Sequence, residues 1–78
     1  MDIRTYRIII EPDEGNTFHA YAPALPGCHT WGDSVRDAQK HMKEAIELYV
    51  ADLVSKGEQV PSEQSFDTFE TVLVPTAA

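Results

Sequence analysis

Three histidines and one cysteine are the side chains in this sequence best suited to metal binding or nucleophilic chemistry: His19, His29, His41 and Cys28. Cys28 and His29 are neighbours, which invites a metal or a thiolate–imidazole reading. Successive side chains of a strand point to opposite faces, so one ion does not readily take both. No Cys-x-x-Cys or His-x-x-x-His spacing accompanies them, and no metal site is expected. His19 and His29 have no Ser or Cys in a local catalytic motif. His41 falls four residues after Asp37, where a solvated helix pair accounts for it. Metal-dependent phosphodiester cleavage needs several carboxylates converging on ions. The acids available are Glu11 at the end of one apolar run, Glu70 in another, and Glu44 and Glu47 on the polar side of a helical pattern. They form no cluster, the glycines form no phosphate-cradling loop, and no catalytic residue or cofactor is assigned. Trp31, the single tryptophan, reads either as partly buried core or as an interface anchor.

The elements that must position these residues are legible in the periodicity. Residues 3–11 are rich in β-branched and aromatic types and read as a strand with Tyr6, Ile8 and Ile10 on its core face. The turn formers Pro12 to Asn16 follow, with Gly15 suited to a left-handed position, and residues 17–22 read as the returning strand. A loop at 13–15 would pair Ile10 with Phe18, Ile8 with Ala20 and Tyr6 with Ala22. His19 and Tyr21 then fall on the opposite face with Ile9. Pro23 to Gly27 interrupts the ladder, and Cys28 to Trp31 makes a short third strand. Ser34 is an N-cap with Asp37 three residues on. Apolar residues at 35, 38, 42, 45, 46, 49 and 53 mark one face of a long helix that stops at Lys56-Gly57. Residues 58–67 read as a polar connector, Phe69 to Val74 as a last strand, and 75–78 as a loose tail.

The expected class is α+β, in the order β-β-β-α-β. A right-handed crossover would place the last strand beside the first, giving a mixed sheet of order 3-2-1-4 with one long helix on one face. The other face would expose Ile9, His19 and Tyr21, and such a face is expected to meet another chain, giving a homo-oligomer.

Composition sets the outer bounds. The chain has 78 residues, one domain's worth, and a formal charge of −7. The six cations, Arg4, Arg7, Arg36, Lys40, Lys43 and Lys56, are spread along the sequence, so direct nucleic-acid binding is not expected. An acidic surface suits a basic partner. A lone cysteine in so small a domain points to a reducing, cytoplasmic setting. No apolar run is long enough to span a membrane, and Met1-Asp2-Ile3-Arg4 lacks a signal-peptide layout.

One family shares these particulars. Ile9-Ile10-Glu11-Pro12-Asp13 followed by Gly15, then Ala22-Pro23-Ala24-Leu25-Pro26-Gly27-Cys28, Thr30 and Gly32-Asp33-Ser34, resembles the HicB-like antitoxin family. The helix run Lys43 to Tyr49 and the Gly57 to Pro61 connector fit as well, so the resemblance spans residues 6 to about 61. It implies a partly RNase H-like fold without the nuclease site, self-association, and a prokaryotic toxin–antitoxin role. In that role the protein binds and blocks HicA, a small basic mRNA-cleaving toxin. Many HicB antitoxins add a C-terminal promoter-binding region; this sequence stops at Ala78, just after the expected last strand, and autoregulation through DNA is not expected of it. The competing reading is a stand-alone oligomeric regulatory or ligand-binding domain with no toxin partner, and an enzyme ranks behind both. The partner-facing residues expected from exposure and chemistry are Glu11, Asp13, Glu14, His29, Trp31 and Asp33.

Overall fold

A computed structural model describes residues 2–76; of the tail expected at 75–78, residues 77 and 78 lie outside the described residues. Strand β1 (Ile9–Asp13) and strand β2 (Thr17–Tyr21) form an antiparallel hairpin. The Asp13 carboxylate accepts from the Glu14 N–H at 2.8 Å, and the Thr17 hydroxyl donates to the Glu14 carbonyl at 2.6 Å. Gly15 and Asn16 both take positive φ, at 66° and 59°, conformations that glycine and asparagine tolerate best. Because Asp13 closes the turn, the loop is Glu14–Asn16, one residue later than expected. The register moves with it: Ile10 faces Ala20 and Pro12 faces Phe18, two residues from the expected pairing. A shift of two preserves the face of every side chain. Tyr6, Ile8, Ile10, Phe18, Ala20 and Ala22 therefore still gather on the core side. Pro12 and Asp13, expected in the turn, extend β1 instead. Proline is admissible there because β1 is an edge strand.

The Ala22–Cys28 segment is a tight loop. Leu25 N donates to the Ala22 carbonyl, Cys28 N to that of Leu25, and Ala22 N to that of Cys28. This folds Leu25 fully into the core, and the Tyr49 hydroxyl ties the loop to the helix through the Pro26 carbonyl at 2.8 Å. Cys28 is buried on the same side, and desolvation raises its thiol pKa. Strand β3 (His29–Gly32) then pairs antiparallel with β2 and delivers the chain to helix α1 (Val35–Ser55).

Helix α1 is capped at both ends by its own sequence. The Ser34 hydroxyl accepts from Asp37 N at 3.0 Å, while the Asp37 carboxylate accepts from Asp33 N at 3.0 Å. At the far end Gly57 N bonds the Val54 carbonyl and Glu58 N the Leu53 carbonyl, with Gly57 at φ 70°. This is a Schellman arrangement, and it uses glycine's freedom at the helix terminus. The inward face rests on Ala38 and Met42, both fully buried, with Ala45, Ile46 and Tyr49 beside them. Val35, expected on that face, is 53% exposed, because Ser34 starts the first turn at the margin of the sheet. The closed core is thin: Ala20, Ala22, Leu25, Cys28, Ala38 and Met42. Leu25 and Met42 are its largest members, each worth roughly 1.5–3 kcal/mol of burial.

The sheet has order β1-β2-β3 and is antiparallel throughout. The expected fourth strand is absent from it among the described residues, so neither the mixed sheet nor the 3-2-1-4 order is present. Residues 60–67 do run beside residues 4–7, but through side chains rather than a ladder. Arg4 donates to the Val60 carbonyl at 2.9 Å and the Tyr6 hydroxyl to that of Pro61 at 2.6 Å. Glu63 takes the Arg7 backbone N–H at 2.7 Å, and Asp67 pairs with the Arg7 guanidinium at 2.9 Å. With Pro61 lacking a donor and a carboxylate holding the Arg7 N–H, a regular ladder has no starting point there. Past Asp67 the chain carries Phe69 and Leu73 almost wholly exposed.

Candidate functional site

The sheet face turned away from α1 holds the densest set of functional side chains. Residues directly opposite across a ladder share a face, and the register lines up two rows. Ile9, Tyr21 and His29 form one; Glu11, His19 and Trp31 form the next. Within them the rings touch. His19 lies 4.8 Å from Trp31, 5.2 Å from His29 and 5.7 Å from Tyr21 between centroids, and His29 lies 5.1 Å from Trp31. His19 Nε2 and His29 Nδ1 are 3.1 Å apart, so one ring donates and the other accepts. The Trp31 indole N–H donates to Asp13 Oδ2 at 2.8 Å. That bond, the Glu14 N–H and the nearby His19 hold the Asp13 carboxyl below the usual carboxylate range. Trp31 is 47% exposed, and His29, Glu11 and Asp13 are exposed as well.

The face thus offers a flat aromatic patch with two ring nitrogens at its centre and carboxylates along one edge. That chemistry suits recognition: rigid rings supply contact area at low entropic cost and the acids supply charge. Among the described residues no group of three or more His, Cys, Asp and Glu is arranged to hold a metal ion. Cys28 sits in the core on the helix side while His29 is exposed on the outer face, which separates the pair that first suggested a metal.

Seven of the residues expected from sequence come together here: Glu11, Asp13, His29 and Trp31 from one set, Ile9, His19 and Tyr21 from the other. The sequence reading assigned partner binding and self-association to separate groups, yet these side chains occupy a single face. Glu14 and Asp33 are not part of the ring cluster: Glu14 lies in the hairpin turn and Asp33 joins β3 to the α1 cap. His41, read as a solvated partner of Asp37, has a further role. Its Nδ1 donates to the Trp31 carbonyl at 2.7 Å, which ties α1 to the strand carrying the site, while Nε2 faces Asp37 at 3.5 Å. The cations also differ from expectation. Arg4, Arg36, Lys40 and Lys43 are spread in sequence but line one groove between the N-terminal segment and α1.

The Trp31 carbonyl bond, and then Asp37 and Glu44, raise the His41 pKa against desolvation and, more weakly, Lys40. A raised folded value means the imidazolium stabilises the fold fully below the ordinary value of about 6.5 and loses that contribution as pH rises through the folded value. Urea midpoints at pH 6 and pH 8 are expected to differ more for the wild type than for His41→Gln, with the wild type losing stability toward pH 8. Equal differences in the two proteins would remove His41 from the account.

An α+β layout of three antiparallel strands and one helix also occurs in a solved structure. The crystal structure of the N-terminal domain of Burkholderia pseudomallei antitoxin HicB superposes with a TM-score of 0.64 at 36% identity, covering 78% of this chain and 69% of that one. The model of the family described as "HicB_like antitoxin of bacterial toxin-antitoxin system" matches residues 6–73. The chain belongs to the HicB-like antitoxin family. A UPF0150 protein of Synechocystis is 38% identical over 78% of this chain and 77% of its own length. Another, from Thermoplasma acidophilum, is 37% identical over 77% of this chain and 87% of its own length. Among the described residues no helix of this HicB-like chain is long and apolar enough to cross a membrane.

Proposed function

We propose that this HicB-like chain acts as one cytoplasmic binding module, without catalysing a reaction, and neutralises a HicA-type mRNA-cleaving toxin by direct contact. The toxin sits on the outer sheet face. The observation that carries this reading is the Trp31–Asp13 pair and its imidazole neighbours on a face that no element of the described chain covers. Trp31 is the anchor, with His19, Tyr21 and His29 around it. Glu11, Asp13, Glu14 and Asp33 supply negative charge at or near the edge. The net charge of −7 favours a basic toxin and speeds encounter with it.

The same face is the place where a second copy would dock if Ile9, His19 and Tyr21 served self-association. One face cannot serve both partners at once, and the carboxylates beside the rings favour a basic partner over an acidic copy of the same chain. The test is co-expression with a short basic protein encoded beside this gene, followed by pull-down and calorimetry. A stoichiometric complex that protects mRNA from cleavage supports the proposal. No complex at micromolar concentrations refutes it.

A further inference from the structure

The two ring nitrogens at the centre of the outer face carry a chemistry that partner recognition does not use. His19 and His29 lie ten residues apart, so no short sequence spacing marks them as a pair. The β2–β3 register makes them diagonal neighbours, because His19 faces Trp31 and His29 faces Tyr21. Their rings meet edge to face at 83°, with His19 Nε2 3.1 Å from His29 Nδ1. Two imidazole nitrogens 3.1 Å apart, each bound to one ion at about 2.0–2.1 Å, subtend roughly 95–100° at that ion. This is nearer the right angle of tetragonal or octahedral coordination, which suits Cu(II) and Ni(II), than the roughly 109° of a tetrahedral zinc site.

The pair is also held in place. Trp31 packs against both rings, and Tyr21 stacks on His19 with 25° between the planes. Ligands already ordered by their neighbours lose little freedom when an ion arrives. The two histidines border an open cleft of about 320 Å³ with Tyr21, Pro23 and Pro26, which leaves room for water to complete a coordination shell. Glu11 sits opposite His19 across the β1–β2 ladder, and the Asp13 carboxylate interacts with His19 through its charge, so negative charge lies beside the pair. Among the described residues no third His, Cys, Asp or Glu closes a cage around an ion. We infer that His19 Nε2 and His29 Nδ1 form a two-point chelate for an exchangeable divalent ion of the Ni(II) or Cu(II) class, with water in the remaining positions. The ion takes the place of the hydrogen bond between the rings. The proton of that bond moves to the far nitrogen of the ring that donated it, which leaves both facing lone pairs free for the metal without net proton release. His41 is no competitor through Nδ1, which the Trp31 carbonyl holds.

Titration of the full free chain with Ni(II) at pH 8, followed by calorimetry and by the fluorescence of its single tryptophan, tests this without a toxin present. One ion per chain is expected to bind in the micromolar range and to quench Trp31 in parallel, since both ligand rings touch the indole. Mg(II), which takes oxygen ligands, is expected not to bind there. His19→Gln and His29→Gln are each expected to weaken Ni(II) binding about 100-fold, because a single imidazole loses the gain of chelation. His41→Gln is expected to bind as the wild type does. In the wild type the imidazole resonances of His19 and His29 are expected to broaden before that of His41, a readout that needs no variant to fold. No Ni(II) binding by the wild type overturns the inference, as does a bound ion that leaves Trp31 unquenched. Binding lost in His41→Gln but kept in His19→Gln and His29→Gln also overturns it, since the ion would then sit on α1.

Discussion

Gly32→Ala is expected to destabilise the fold by about 3 kcal/mol, the upper end of what overpacking a tight site costs. Gly32 is the last residue of β3 and is buried beneath the first turn of α1. A Cβ there would overlap the backbone of Ala38 and come within 2.8 Å of the Asp37 carbonyl carbon. Backbone cannot rotate aside as a flexible side chain does, so the helix would have to shift as a body. Ala38 and Met42, two of the fully buried residues, would move with it. A chain this short has roughly 4–12 kcal/mol of stability in total, so the loss is a large share. Gly57→Ala is the control: nothing lies within 4 Å of its added Cβ, and only the strain of positive φ, about 1–2 kcal/mol, opposes it. Urea titration followed by circular dichroism separates the two. A Gly32→Ala midpoint equal to that of Gly57→Ala would contradict the packing described at this junction.

Trp31→Ala is expected to weaken toxin binding by about 2 kcal/mol or more, roughly 30-fold, the range of a central aromatic hot spot. The change removes the ring that packs against His19 and His29 and the N–H donated to Asp13. The fold should survive, since Trp31 is about half exposed and lies outside the buried core. Trp31→Phe keeps most of the contact area but leaves Asp13 without its indole donor, so a loss several-fold smaller than that of Trp31→Ala is expected. Asp13→Asn keeps an acceptor for the indole and removes the charge, so its effect should fall on the association rate and fade in high salt. Calorimetry and stopped-flow binding at two salt concentrations check these orderings. A Trp31→Ala affinity within twofold of wild type would take the anchor role away from this residue.

Much of this architecture can be read from residue order because the local signals agree with one another. Ser34 with Asp37, and Lys56-Gly57, bound the helix to within a residue. Alternation placed Ile9, His19 and Tyr21 opposite the core face even though the pairing register was two residues off, since strand parity survives an even shift. The pairing missed because the side chain of Asp13 closes the turn, a choice that composition cannot distinguish from a loop one residue earlier. The union of Glu11, His19 and Trp31 in one row was not legible, because it needs the β2–β3 register, set by the irregular Ala22–Cys28 loop. The fourth strand failed for a different reason. Phe69 to Val74 has strand propensity, but propensity does not supply a neighbour, and the Arg7–Glu63 contact takes the donor a ladder would use. The groove cations were invisible for the same kind of reason: Arg4 meets Arg36, Lys40 and Lys43 only through the tertiary fold.

The central claim is that the outer sheet face is the toxin-binding surface of this HicB-like chain. Amide hydrogen exchange on the free protein and on its complex with the basic partner measures this directly. The account predicts new protection at His19, Tyr21, His29 and Trp31 and around the Glu14–Asn16 turn, with the groove stripe from Lys40 to Val50 unchanged on complex formation. New protection confined to that helix stripe, with the outer face exchanging as it does in the free protein, would contradict it.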